Sequence, residues 1–204
     1  MNILFLTAEV NENLSSYEKV IYDYNPSDKI IKCSNLIDYK FIEDSKIDII
    51  LKDRYKHDLS SSNINLKKIP YINFHPSFLP FNMKNDSNLW SIINNTPKGS
   101  SIIRMMDFSW NDFDLIGRTE AKFDNKDTLK TSFNKCIKLF EKLFEKYWPL
   151  IRESKYEKIE FTKDNNEFRD GSEKGDFMNF LDEGYNTPIS KIQNQWLIYK
   201  KIKF

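Results

Sequence analysis

Glycine is scarce in this chain, with five in 204 residues. No Gly-x-Gly-x-x-Gly and no Gly-x-x-x-x-Gly-Lys occurs, so a dinucleotide fingerprint and a phosphate-cradling loop are both excluded. Cysteine is scarcer still: Cys33 and Cys136 are the only two. They lie far apart and outside any Cys-x-x-Cys, which argues against a zinc site or a disulfide framework. Histidine also numbers two, and neither His-Glu-x-x-His nor Gly-x-Ser-x-Gly is present. Charge of one sign is missing as well. The net charge of +1 gives no electrostatic case for nucleic acid. No run is long and apolar enough to span a bilayer. Met1-Asn2-Ile3-Leu4-Phe5 enters a strand directly, without the basic start and cleavage site of a signal peptide. The expectations are therefore a cytoplasmic protein with no metal, no nucleic-acid partner and no membrane.

What is present can build a core. Hydrophobic residues make up 40% and aromatics 15%, too many for a disordered chain, and the length suits one sizeable domain with a small appendage. Short apolar runs at residues 2–7, 46–51, 69–74, 101–106 and 114–119 read as strands. Helices are predicted over 16–23, 36–41 and 87–94. Asp127-Thr128 caps the clearest helix, in which Leu129, Phe133, Ile137, Phe140, Phe144, Trp148 and Ile151 recur at helical spacing. This alternation predicts an α/β domain with a Rossmann-like, mostly parallel sheet over 1–154. Residues 155–204 read as a linker and small C-terminal subdomain. The charged stretch 155–176, with Gly171 and Gly175, is the linker, and 176–181 a short helix. Trp196-Leu197-Ile198-Tyr199 reads as a strand that could pair with a second subunit, giving a possible homodimer.

The most informative segment is Asn73-Phe74-His75-Pro76-Ser77-Phe78-Leu79-Pro80. It follows the β-prone Ile69-Pro70-Tyr71-Ile72, so Asn73 and His75 stand at the exit of a buried strand. Alternation sends both side chains to one face. The prolines and Ser77 then force a loop. Ligands of parallel α/β sheets bind beyond the C-terminal strand ends. An amide donor beside an imidazole there suits acyl chemistry. A histidine that only shapes a turn fits the same eight residues.

The octapeptide resembles the Asn-x-His-Pro-Ser-x-Leu-Pro signature of the 10-formyltetrahydrofolate-dependent formyltransferases. The stretch 81–93 is similar to the Trp-Asn-Arg-Gly-x-x-Pro-Asn-x-Trp-Ser segment of the sugar N-formyltransferases within that family. Thr96-Pro97-Lys98-Gly99 and Leu143-Phe144-Glu145-Lys146-Tyr147-Trp148 resemble further motifs of that branch. The resemblance is firm over about 48–151. It implies transfer of a formyl group from 10-formyltetrahydrofolate to the amine of a nucleotide-linked, dTDP-type amino sugar, in the service of lipopolysaccharide O-antigen synthesis. It also implies His75 as the proton acceptor, with an unperturbed pKa near ~6.5, and Asn73 as the donor to the oxyanion. Arg54, Tyr55, Ser77, Leu79 and Asp114 fall on the folate side. Phe81, Asn82, Asp86, Asn88 and Trp90 fall on the sugar-nucleotide side.

The family's Asp-x-x-x-x-Asp-Thr-Gly-Asp motif supplies a carboxylate that orients the histidine. The corresponding stretch, Asp107-Phe108-Ser109-Trp110-Asn111-Asp112-Phe113-Asp114, puts Asn111 in that place, or Asp112 after a slip of one residue. Met83-Lys84 replaces the family's Arg-Gly, and Ser87 its proline. Two alternatives stay open: a formyltetrahydrofolate hydrolase, and a catalytically degenerate relative that binds a nucleotide sugar.

Overall fold

The computed structural model describes residues 1–8, 10, 15–59, 64–83, 86–108, 112–162 and 172–203. In chain order these form β1 (Asn2–Thr7), α1 (Ser16–Tyr24), β2 (Lys29–Cys33), α2 (Tyr39–Asp44), β3 (Ile49–Asp53), β4 (Tyr71–His75), α3 (Ser87–Ile93), β5 (Gly99–Met105), β6 (Phe113–Glu120), α4 (Leu129–Arg152), α5 (Ser172–Phe180), a 3₁₀ turn (Gly184–Asn186) and α6 (Ile189–Lys203). The six strands make one sheet in the order β2-β1-β3-β4-β5-β6. The pairings β1 with β2, β1 with β3 and β3 with β4 are parallel, as the alternation of strands and helices predicts. Strand β2 escapes the sequence pattern because it sits at the sheet edge. None of its five residues is buried and two are lysines, so it shows no apolar run.

Two compact units are distinguished. The first comprises Met1–His75, Ile102–Gly117 and Glu141–Ile159. Its strand register pairs Leu6 with Lys52 and Lys52 with Asn73. Side chains alternate along each strand, so Leu4, Leu6, Ile50, Lys52, Tyr71, Asn73 and His75 share one face. Ile3, Phe5, Ile49, Leu51, Asp53, Ile72 and Phe74 share the other. That second face packs on aromatics: Tyr17 stacks on Phe74 at 5.1 Å and meets Phe144 edge-on at 5.4 Å. Helix α1 is set in place by a capping box between Ser15 and Glu18. Asp28, whose side chain is wholly enclosed, receives two bonds of 2.8 Å from Arg152 and one of 2.7 Å from the Met1 amino group.

The start of the charged stretch after α4 is bound to this unit. Ile159 N–H donates to the Leu115 carbonyl at 2.8 Å, the Tyr156 hydroxyl donates to Asp114 at 3.2 Å, and Lys158 lies 2.7 Å from the same carboxylate. Residues 163–171, the middle of the expected linker, lie outside the described residues.

The second unit comprises Pro76–Ser101, Arg118–Phe140 and Glu160–Phe204. Trp90, Phe177, Ile192, Trp196 and Tyr199 form its core, with Trp90 edge-on to Trp196 at 5.3 Å and Phe177 edge-on to Trp196 at 4.9 Å. Two backbone bonds, Leu129 N–H to Thr187 O (3.1 Å) and Ile189 N–H to Asp127 O (2.9 Å), tie the starts of α4 and α6. The strand expected at 196–199 is instead part of α6. A four-residue apolar run satisfies either period. Ile192, Trp196 and Tyr199 are buried at helical spacing while Leu197 and Ile198 are exposed, which settles the matter for the helix. Only the expected strand is overturned: among the described residues the tail carries 196–199 on a helix. Among the described residues no helix is long and apolar enough to cross a membrane.

Candidate active site

Strand β4 carries Asn73 and His75 at its C-terminal end, 5% and 6% exposed. Phe74 between them is locked into the aromatic core with Tyr17 and Phe144. That packing fixes the rotation of the strand and so the common direction of its two neighbours. Tyr71 shares their face and lies 5.8 Å from Phe108. Burial raises the Tyr71 hydroxyl pKa, and the nearby Tyr55 and Asp58 add to the effect. Lys52, half-buried and registered on Asn73, escaped the sequence analysis. Its only signal there is a lysine closing the otherwise apolar run Ile47, Ile49, Ile50, Leu51.

Of the two residues expected beside His75, one is described. Asn111 lies outside the described residues. Asp112 is exposed, and its carbonyl accepts from Met106 N–H at 3.0 Å.

Several residues expected on the folate side are held by the protein itself. Arg54, in the left-handed region at φ 54, turns its guanidinium back on the buried Asp53 through bonds of 3.1 and 2.9 Å. Tyr55 is buried and donates to the Asn35 carbonyl at 2.6 Å. Asp114 is engaged by Tyr156 and Lys158. In the second unit, the Ser77 hydroxyl bonds the Phe81 carbonyl, closing the turn after Pro76. Leu79 is fully buried; its N–H donates to Ser101 Oγ at 3.1 Å, and its carbonyl accepts from Arg118. The Leu79–Pro80 peptide is cis. Arg118 also lies over the Phe78 ring at 4.6 Å. Sequence alone did not single out Arg118 or Ser101, because each acts on a loop distant in the chain.

The residues expected on the sugar-nucleotide side divide. Trp90 is a core residue, packed on Trp196. Phe81 is partly buried. Asn82, at φ 52, donates to Thr96 Oγ1 at 2.8 Å and accepts from Asn94 at 3.3 Å. Asp86 and Asn88 line a cavity of about 300 Å³, together with Pro76, Ser87, Lys130 and Tyr185. The Asn88 amide is oriented without ambiguity. Its Nδ2 donates to Ser132 Oγ at 2.9 Å and to the Leu129 carbonyl at 3.3 Å, and Ser132 spends its own proton on that carbonyl at 3.0 Å. The Oδ1 of Asn88 is therefore the remaining acceptor, buried and with no donor among the described residues. A buried acceptor left in that state costs about 1–3 kcal/mol.

No family model matches the chain. Solved structures do. The formyltransferase PseJ from Anoxybacillus kamchatkensis, in complex with UDP-4,6-dideoxy-4-formamido-L-AltNAc and tetrahydrofolate, is 28% identical; the match covers 94% of this chain and 97% of that one, with a TM-score of 0.79. A 4-N formyltransferase from Francisella tularensis is 21% identical over 88% of this chain and 78% of its own, TM-score 0.69. An N-formyltransferase from Helicobacter canadensis, in complex with folinic acid and dTDP-3-aminofucose, is 14% identical over 80% and 68%, TM-score 0.58. The last two speak to the fold alone.

Proposed function

We propose that this chain, a structural relative of the sugar N-formyltransferases, transfers a formyl group from 10-formyltetrahydrofolate to the amine of a nucleotide-linked amino sugar. The observation that carries the reading is the Asn73–His75 pair, on one face at the C-terminal end of β4, in a fold shared along 94% of the chain with PseJ. Formyl transfer needs two things from a protein: a place for the amine proton and a donor for the oxygen that becomes charged. His75 accepts the proton as the amine nitrogen bonds to the formyl carbon. Asn73, through its NH₂ group, donates to the oxygen that takes up the carbonyl electron pair. His75 then returns a proton to the departing N10 nitrogen as the carbonyl reforms, and tetrahydrofolate leaves.

Of the residues expected on the folate side, Arg54, Tyr55 and Asp114 serve in this reading as walls in the first unit, already tied to Asp53, Asn35 and Tyr156. Ser77 and Leu79, in the second unit, are likewise tied, to Phe81 and Ser101. The sugar nucleotide is assigned to the second unit's cavity. There Asp86 and Asn88 supply polar groups to the lining. Tyr185, more than half exposed beside it, can stack on a base. Phe81, Asn82 and Trp90 are kept in this reading as supporting residues of the second unit, Asn82 through Thr96 and Asn94 and Trp90 through the core. PseJ was solved with a UDP sugar, which favours uridine over the thymidine suggested by the sequence.

The test is incubation with 10-formyltetrahydrofolate and a UDP- or dTDP-linked 4-amino sugar, followed by mass spectrometry. Gain of one formyl group on the sugar, with tetrahydrofolate released, is expected. Formate released without an amine would establish the hydrolase. Thermal stabilisation by the nucleotide sugar without product would establish a binding protein.

A further inference from the structure

The face that carries Asn73 and His75 holds a third polar group. Parallel strands β3 and β4 place Lys52 directly opposite Asn73, and neighbouring strands lie about 4.8 Å apart. Registered residues of parallel strands send their side chains to the same face, so the Lys52 stem leaves the sheet beside Asn73, on the face that also bears His75. Leu6 flanks it on the far side, in register on β1.

The surroundings of Lys52 are those of a group waiting for a partner. It is half-buried, and it makes no hydrogen bond or ion pair among the described residues. Loss of water around it lowers its pKa from the ordinary lysine value, and the Asp58 charge only partly opposes this. Among the described residues, the titratable groups on this side include Tyr71 and His75 from β4 and Cys33, in register across β1 through Leu6. Asp58 is close enough to act on Lys52 and Tyr71, and Tyr55 on Tyr71. Burial and the neighbouring Asp58 keep the Tyr71 phenol protonated. A part-desolvated ammonium with no hydrogen bond among the described residues does little for stability. It is well made to meet negative charge that appears only during a reaction.

We propose that Lys52 is a further catalytic residue, whose ammonium donates to the formyl oxygen beside Asn73 and shares the negative charge that oxygen acquires. The inference rests on the formyl-transfer reading. As the amine nitrogen bonds to the formyl carbon, the carbonyl pair moves to oxygen, where Asn73 and Lys52 both donate. When the bond from carbon to N10 breaks, the pair returns and the carbonyl reforms. Lys52 keeps its protons throughout; His75 alone carries one from the amine to N10.

Two measurements test it. In the first, Lys52→Met and Lys52→Arg are compared with wild type in steady-state formyl transfer. Removing one oxyanion donor costs about 10²–10³ in kcat. Lys52→Met should show that loss with KM for both substrates within about threefold, and Lys52→Arg should recover part of it. A Lys52→Met enzyme that keeps kcat within about twofold overturns the proposal. The second does not need turnover. Lysines are labelled by reductive ¹³C-methylation, and the Lys52 resonance is identified by its absence from Lys52→Arg. That resonance should move on addition of 10-formyl-5,8-dideazafolate, a stable folate analogue with its formyl group on N10, and move little with unformylated 5,8-dideazafolate. A resonance indifferent to the formyl group sinks the proposal whatever the kinetics. If wild type forms no product, the transfer reading falls alone, and the resonance decides whether Lys52 meets the formyl oxygen.

Discussion

The two faces of strands β3 and β4 use the same backbone for opposite ends. One face buries Leu51, Ile72 and Phe74 against Tyr17, Phe144 and Trp148. The other, one residue out of step, carries Lys52, Asn73 and His75. A strand has a period of two, so the apolar face and the reactive face are set by the same register. The core face makes the other face precise. Phe74 cannot turn without leaving its ring contacts, so Asn73 and His75 on either side of it are held in direction. Rigid strands place functional groups more exactly than loops do.

This contrast is broken most sharply by exchanging residues across it. His75→Gln should lower kcat by about 10²–10⁴ while leaving the thermal midpoint close to wild type. A loss of stability as large as that of a core variant would make His75 a structural residue. Phe74→Ala, one position away, should act first on stability. It should cost about 3–5 kcal/mol in urea unfolding, and because the ring holds Asn73 and His75 in direction, kcat per folded molecule should fall, by less than in His75→Gln.

A third variant asks whether polar groups far from the reactive face serve structure alone. Arg152→Ala leaves Asp28 enclosed with only the Met1 amino group, and should cost about 2–4 kcal/mol after allowance for the partly exposed Arg152. The pH dependence follows from the direction of the shift. Hydrogen bonds from Arg152 hold the Asp28 carboxyl below its ordinary 3.8, more than offsetting its burial. The stabilisation is complete above that value and is lost as pH falls through the lower native pKa. Urea midpoints at neutral pH and well below pH 3.8 should therefore differ more for wild type than for Arg152→Ala.

The smallest effect is expected in the second unit. Tyr185→Ala removes an exposed ring from the cavity rim and should raise KM for the sugar nucleotide about threefold to tenfold, through loss of about 0.5–1.5 kcal/mol of stacking. An unchanged KM would remove Tyr185 from the site. The carboxylate question sharpens the comparison from the other side. If Asn111→Asp increases kcat, the reactive face lacks a negative partner for His75. If Asp112→Asn abolishes turnover, Asp112 is that partner.

Much of the scaffold was legible because its signals are local. The runs at 2–7 and 114–119 alternate or stay apolar within a few residues, and the stripe from Leu129 to Ile151 repeats every three or four. The same-face relation of Asn73 and His75 follows from strand geometry alone. Other assignments depended on partners distant in the chain. The tail run Trp196-Leu197-Ile198-Tyr199 is short enough to fit two periods, and only burial of Ile192, Trp196 and Tyr199 together made it helical. Trp90 could have faced a nucleotide or a core; contact with Trp196, contributed by α6, put it in the core.

By itself, then, the sequence determined the class of sheet, the main helix and the Asn73–His75 pair, since each is written in spacings of two to four residues. Tertiary structure alone decided that Arg54 is spent on Asp53, Tyr55 on Asn35 and Asp114 on Lys158, and that Lys52 stands beside Asn73. Strand register decides the last of these. Register is set by how two distant segments bury their apolar faces together, and no spacing within either segment records it.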